Sequence, residues 1–271
     1  LECKEIRSAG FTGFRICRTR IGLIYALFMR RIWSWKNRLV PSLLLLLTLP
    51  VILYVLVGLS LNNIMRNSLS GMPFELWVIP GFIFIISSMG LIPLIYRDFF
   101  DLRVHRKVLA HVVLAPYRKR MMIFGYLIVS AIEAIILGVI SIGIFSAISS
   151  FPLSVIETLF MMVCLGLYLL LLGNLLISMG LLIDTVTTFS MMTFITFIFI
   201  LFGNGFIIEF GFFPTGVDSF LKWQPISIPF QAFQLFINTK FIDWQMLAYP
   251  LVLVLFWVIA NTKILKWKLR H

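Results

Sequence analysis

The chain has 271 residues, of which 61% are hydrophobic and 13% charged, against roughly 45–50% and about 25% in a soluble globular domain. Its 11 acids and 23 bases are too few to cover a water-facing surface, which excludes a soluble globule and makes lipid the solvent for most of the chain. The net charge of +12 raises nucleic acid as a partner, a reading that depends on where the bases lie.

Residues 1–38 form a basic segment with nine Lys/Arg. Within 20–38, Ile21, Tyr25, Phe28, Ile32 and Trp35 recur at helical steps, while Arg30, Arg31, Lys36 and Arg38 occupy other faces. This predicts an amphipathic helix in the cytoplasmic interface, aromatics at headgroup depth and bases toward anionic lipid. An ordinary basic flank to the first span is the simpler alternative.

Crossing about 30 Å of hydrocarbon takes roughly 20 mostly apolar residues. Six stretches qualify, near 39–61, 77–96, 121–148, 155–182, 186–208 and 245–262. The first is expected to remain as an anchor rather than act as a cleaved signal, because further runs follow it. The third and fourth are long enough to tilt or to project beyond the lipid. The expected fold is therefore an all-α polytopic membrane domain over 39–271, with six transmembrane helices behind the basic N-terminal segment.

Between these runs the bases divide unevenly. Residues 1–38, 97–120 and the tail from Lys263 hold 20 of the 23, and only Arg66, Lys222 and Lys240 lie elsewhere. By the positive-inside rule both termini and the 97–120 segment are expected to be cytoplasmic, as an even number of spans requires. Bases that flank hydrophobic ends are an orientation signal, so nucleic acid is not expected as a partner. The 209–244 connection is mostly apolar yet carries Pro214, Pro225, Pro229, Gly211 and Gly216. That many breakers predict short re-entrant or interfacial helices on the outer side, their backbone shielded by protein.

Chemistry-bearing motifs are sparse. There is no GxxxxGK[ST], so ATP hydrolysis in this chain is not expected. His105, His111 and His271 form no HExxH, and there is no GxSxG to mark a serine nucleophile. Cys3, Cys17 and Cys164 form no CxxC pair, so neither a disulfide framework nor a metal site is expected.

Glu133 lies well inside the third run, where a bare carboxylate costs about 2.5–3.5 kcal/mol on insertion scales. It is expected either to contact substrate on a translocation path or to make a polar contact to another helix. Asp184 reads as a boundary residue in a cytoplasmic turn, and Glu157 and Glu209 as markers of the outer interface. Gly166, Gly173 and Gly180 recur every seven residues beside Asn174, a stripe expected to be a helix-packing seam, with a substrate groove as the alternative.

From Tyr96 to Arg120 the chain reads YRDFFDLRVHRKVLAHVVLAPYRKR. Apolar residues including Phe99, Phe100, Leu102, Val104, Val108 and Leu109 interleave with Arg97, Asp98, Asp101, Arg103, Arg106 and Lys107. Such a segment can dock into a groove on a soluble partner while staying linked to two spans; a solvated loop is the plainer alternative.

Taken with the basic N-terminal helix, three further features resemble the permeases of ABC type-2 exporters. These are Trp77, Pro80 and Gly81 opening the second run, Leu114-Ala115-Pro116 before the third, and FFPTGVDSFLKWQPISIP over 212–229 before the last. The resemblance implies a half-transporter that pairs with a second permease copy and contacts a separate nucleotide-binding subunit. That subunit would bind ATP and Mg, and this chain would carry no cofactor. It further implies that Arg97, Asp98, Asp101, Arg103, Arg106 and Lys107 make the coupling contacts. The substrate class implied is amphipathic or lipid-linked, such as a drug, lipid or glycan, moved out across a bacterial cytoplasmic membrane. A membrane-embedded enzyme acting on lipid or polyprenyl carriers, and a structural subunit of a membrane complex, are the other readings.

Overall fold

The computed structural model describes residues 20–36, 47–62, 71, 73–107, 119–148 and 153–268. No strand occurs among them. Helix α1 spans Arg20–Lys36. Helix α2 covers 47–62 and widens to a π-helical stretch at Tyr54–Leu59. Helix α3 runs Phe74–Val104, α4 Lys119–Ile148, α5 Val155–Leu182, α6 Val186–Gly203 and α9 Trp244–Lys268. Between α6 and α9 lie a 3-10 turn at Phe210–Phe212, α7 (Val217–Lys222) and α8 (Ile228–Thr239).

Five of these helices, α3, α4, α5, α6 and α9, are long and apolar enough to cross a membrane. The chain is an all-α membrane protein. Of the expected first span, 39–46 lies outside the described residues, and the remainder is the shorter apolar helix α2.

Helices α3, α4 and α5 form the centre, with α9 and α8 against α5 and α1 against α4. Helix α3 is the most enclosed, since Phe82, Phe84 and Ile85 have no exposed surface. It holds two prolines, Pro80 and Pro93, whose freed carbonyls are tolerated because neighbouring helices surround them. Helix α2 docks by Tyr54, whose ring lies 6.2 Å from that of Phe145, and by Gly58, against which Phe82 packs.

The glycines locate the close approaches. A Cβ on Gly81 would stand 3.1 Å from Phe206 Cα and collide with its carbonyl oxygen, so the motif residue Gly81 lets another backbone lie directly on α3. In the expected seam, a Cβ on Gly173 would stand 2.5 Å from Leu127 Cδ1 and one on Gly180 3.3 Å from Phe99 Cβ. Gly166 has space around it, its nearest neighbour being Ile135 Cδ1 at 3.9 Å.

The five long helices alternate in direction, so the bundle has two chemically distinct ends. One gathers α1, the last turns of α3, the α5–α6 turn and the last turns of α9, and holds Arg97, Arg103, Arg106, Lys107, Lys263, Lys266 and Lys268. It is the basic end. The other, the proline-rich end, carries the beginning of α3, the 204–243 excursion and the beginning of α5.

At the proline-rich end the chain that follows α6 folds back against the bundle. Phe206 and Phe230 both touch Phe84, at ring separations of 5.4 and 5.2 Å. Phe84 is ten residues beyond the start of α3, about 15 Å along its axis at 1.5 Å per residue. Phe206 and Phe230 meet edge-to-face at 4.8 Å, and Tyr168 closes the cluster at 5.5 Å from Phe206. None of the four rings is exposed. The expected fifth run, 186–208, is thereby corrected: the helix stops at Gly203, and Phe206 to Ile208 are apolar because they plug the bundle without helical structure.

Candidate functional site

Three charged side chains are buried among the described residues, Arg31, Asp98 and Glu133, and they form one group. Arg31 reaches from α1 to the other two. Its Nη2 donates to Asp98 Oδ2 and lies 3.3 Å from Ser130 Oγ, while its Nε stands 3.4 Å from Glu133 Oε2. Arg30 adds a bond from its own Nη2 to Asp98 Oδ1 at 3.0 Å and places its guanidinium over the Tyr126 ring. Two cations thus meet two carboxylates, as burial demands. Arg31 Nη1 is enclosed with no hydrogen-bond partner among the described residues.

Local structure explains how Asp98 arrives there. The π-helical stretch Tyr96–Asp101 carries an extra residue per turn and rotates Asp98, Phe99 and Phe100 inward. Phe99 then packs edge-on against Tyr126 at 5.5 Å, and Phe100 lies 4.6 Å from Phe189 of α6. Phe99 and Phe100, expected as apolar docking surface, are instead core. The register change consumes them.

Helix α1 forms where the apolar period predicts, but it presents a different face. Tyr25, Phe28 and Ile32 of the expected apolar stripe point outward, while Leu27 and Arg31, one turn apart, are buried against the bundle. The outward stripe suits lipid. Arg31, expected on a lipid-facing basic face, is turned to acids instead.

Glu133 also stands elsewhere in depth than its place in the apolar run suggests. It is the fifteenth residue of α4, yet it shares Arg31 with Asp98, which lies beyond Ile95 near the end of α3. The first turns of α4 therefore extend past the level where the apolar part of α3 ends. Glu133 sits near that boundary, in a polar contact to α1.

The remaining coupling candidates fall into a second group. Arg103 donates to Leu181 O at 2.6 Å and to Ile183 O, capping the last carbonyls of α5, and pairs with Asp184 at 2.8 Å. Lys268 of α9 holds the other Asp184 oxygen at 2.9 Å. The hydrogen bond from Lys268 keeps the Asp184 carboxyl below its usual range, with Arg103 adding to the pull. Arg106 pairs with Asp101 at 2.8 Å. Arg97 is partly exposed with its Nε 3.9 Å from Asp98, and Lys107 is exposed in the left-handed region at φ 53°. Residues 108–118, including Leu114-Ala115-Pro116, lie outside the described residues.

A third polar group is uncharged and fully paired. Asn261 of α9 donates to Asn174 O at 3.0 Å and to Asn174 Oδ1 at 3.2 Å, and accepts from Ser178 Oγ at 2.6 Å. Trp257 Nε1 donates to the same hydroxyl at 2.9 Å. This network fixes the register of α9 on α5. Sequence reasoning noted Asn174 but not its partners; polar residues at 174, 178 and 261 in otherwise apolar runs were the available signal.

Along the other side of α3, Met89, Ile92, Pro93 and Tyr96 face Phe189, Ser190, Thr193, Phe194 and Phe197 of α6 across an open apolar groove of 440 Å³. Among the described residues no group of three or more His, Cys, Asp and Glu could hold a metal ion. No protein-family model matches the chain, and no curated protein matches it.

Proposed function

We propose that this chain is the transmembrane subunit of an ATP-driven exporter of the ABC type-2 kind, a coupled gate worked by a separate ATPase. The observation that carries the reading is the Arg31 cluster. Buried ion pairs join a peripheral helix, α1, to two long helices at once, so displacement of α1 or of the end of α3 is delivered to both. Interfaces of this kind transmit motion because they switch between discrete packings rather than deforming smoothly.

In this reading the basic end is cytoplasmic, with both termini there, and the chain makes six spans in a bacterial cytoplasmic membrane. Asp98 serves inside the subunit. The surface left for the ATPase is Arg97, His105, Arg106 and Lys107, with Asp101 orienting Arg106 and Arg103 bracing the α5–α6 turn. The groove between α3 and α6 supplies an apolar, laterally open path for an amphipathic or lipid-linked substrate, and a second permease copy would close it.

The test is reconstitution in liposomes with the ATPase subunit. Arg106→Glu with Lys107→Glu should abolish substrate-stimulated ATP turnover while leaving the thermal midpoint of the permease unchanged. Full stimulated turnover in that variant would overturn the coupling assignment.

A further inference from the structure

The link that leaves α6 is a buried stretch of irregular chain whose polar groups are unmatched. Asn204, at φ −99° and ψ 4°, is followed by Gly205 at φ 77°, a left-handed turn that only glycine makes without strain, and a Cβ there would also strike the Phe210 ring at 2.8 Å. Asn204 has no exposed surface, yet neither its Nδ2 nor its Oδ1 has a hydrogen-bond partner among the described residues. The N–H groups of residues 206–208 likewise make no hydrogen bond to a described residue, although Phe206 and Ile207 are buried.

This is a different condition from that of the other buried amides. Asn174 and Asn261 satisfy each other and Ser178, as hydrogen-bonding groups removed from water must. Non-helical backbone at membrane depth persists where protein or enclosed water satisfies it, and the described protein around 204–208 does not. Unbonded N–H groups of enclosed backbone are donors that suit an oxygen atom. Asn204 adds two donors and one acceptor oxygen beside them. Water can both accept from those N–H groups and donate to Oδ1, and buried water typically makes about three such bonds.

We propose that the α6 break encloses at least one structural water, bound between the Asn204 side chain and the N–H groups of 206–208. The water makes the joint polar and deformable where α6, exposed along most of its length, meets the enclosed Phe206–Phe230 plug. It is independent of what the protein transports.

Synchrotron radiolysis, which generates hydroxyl radical from bound water in place, tests this on the wild-type protein in lipid nanodiscs. Phe206 should be oxidised several-fold more than Phe145, an equally buried ring away from the break. Labelling of Phe206 no greater than that of Phe145 overturns the proposal. Asn204→Leu gives an independent sign. Removing a dry, unpaired amide raises the thermal midpoint, whereas stripping a bound water of its partner lowers it and removes the Phe206 label. A raised midpoint overturns the proposal; a lowered midpoint with loss of label supports it.

Discussion

The two ends of the bundle are held by opposite kinds of force. At the basic end, Arg31, Asp98 and Glu133 are taken out of water together, and each is tolerated only because the others are present. At the proline-rich end no charged side chain is buried among the described residues, and what holds the excursion is the contact of Phe84, Tyr168, Phe206 and Phe230 together with the backbone laid on Gly81. Ion clusters fail as a unit, whereas packed rings lose contacts one at a time. The first suits a joint that must move as one body, and the second a fixed plug.

The sharpest way to break this comparison is at Arg31. Arg31→Met leaves Asp98 and Glu133 with reduced compensation, and losing one partner of a buried pair costs about 3–5 kcal/mol. Thermal or denaturant unfolding in detergent should register that loss. A triple replacement, Arg31→Met with Asp98→Leu and Glu133→Leu, should recover most of it, because no buried charge is then left alone. If the triple variant is as unstable as the sum of its single variants, the cluster is not a unit. Under the proposed function the recovered triple variant should fold yet fail to couple.

At the other end, Gly81→Ala is expected to cost about 1–3 kcal/mol, the range of overpacking, since the new methyl meets a backbone carbonyl that cannot rotate away. Gly166→Ala, with 3.9 Å to the nearest side-chain atom, should be neutral in the same assay. Equal effects at the two glycines would mean that the excursion does not lie on α3. In the neutral network between α5 and α9, Asn261→Leu should cost less, about 0.6 kcal/mol and at most about 1.7, as inter-helix hydrogen bonds in membranes do.

Much of this architecture was legible in the sequence for one reason: length and apolarity are local properties. The 155–182 run is α5 to the residue, bounded by the Ser154–Glu157 capping box and, after Leu182, by Ile183 in extended conformation. Legibility failed where an apolar run meant burial without helix, as at Phe206 to Ile208, because hydropathy reports the solvent and not the dihedral angles. It failed also for Asp98 and Arg31, 67 residues apart, whose pairing depends on a π-helical stretch with no sequence signature. The depth of Glu133 depends on how far α4 extends beyond α3, a tertiary offset that no single run contains. Lone charges on otherwise apolar faces, Arg31 beside Leu27 and Glu133 in α4, were the readable hint that partners would be found.

The smallest expected effect probes whether the outer ions of the basic end belong to the buried cluster or merely flank it. Asp184 is two-thirds exposed and is shared by Arg103 and Lys268, so its contribution should be that of a surface pair, below about 1 kcal/mol. Because its folded pKa is depressed below the ordinary 3.8, that contribution is fully present above the unfolded value and is lost as pH falls through the lower folded value. The difference in thermal midpoint between the wild type and Asp184→Asn should therefore be constant from neutral pH down to about 5 and shrink only as pH falls below 3.8 through the lower folded value. A large difference, or one that persists undiminished into acid, would make Asp184 part of the enclosed machinery. A small, acid-labile difference leaves the joint between α1 and the bundle to Arg31 and its neighbour Arg30.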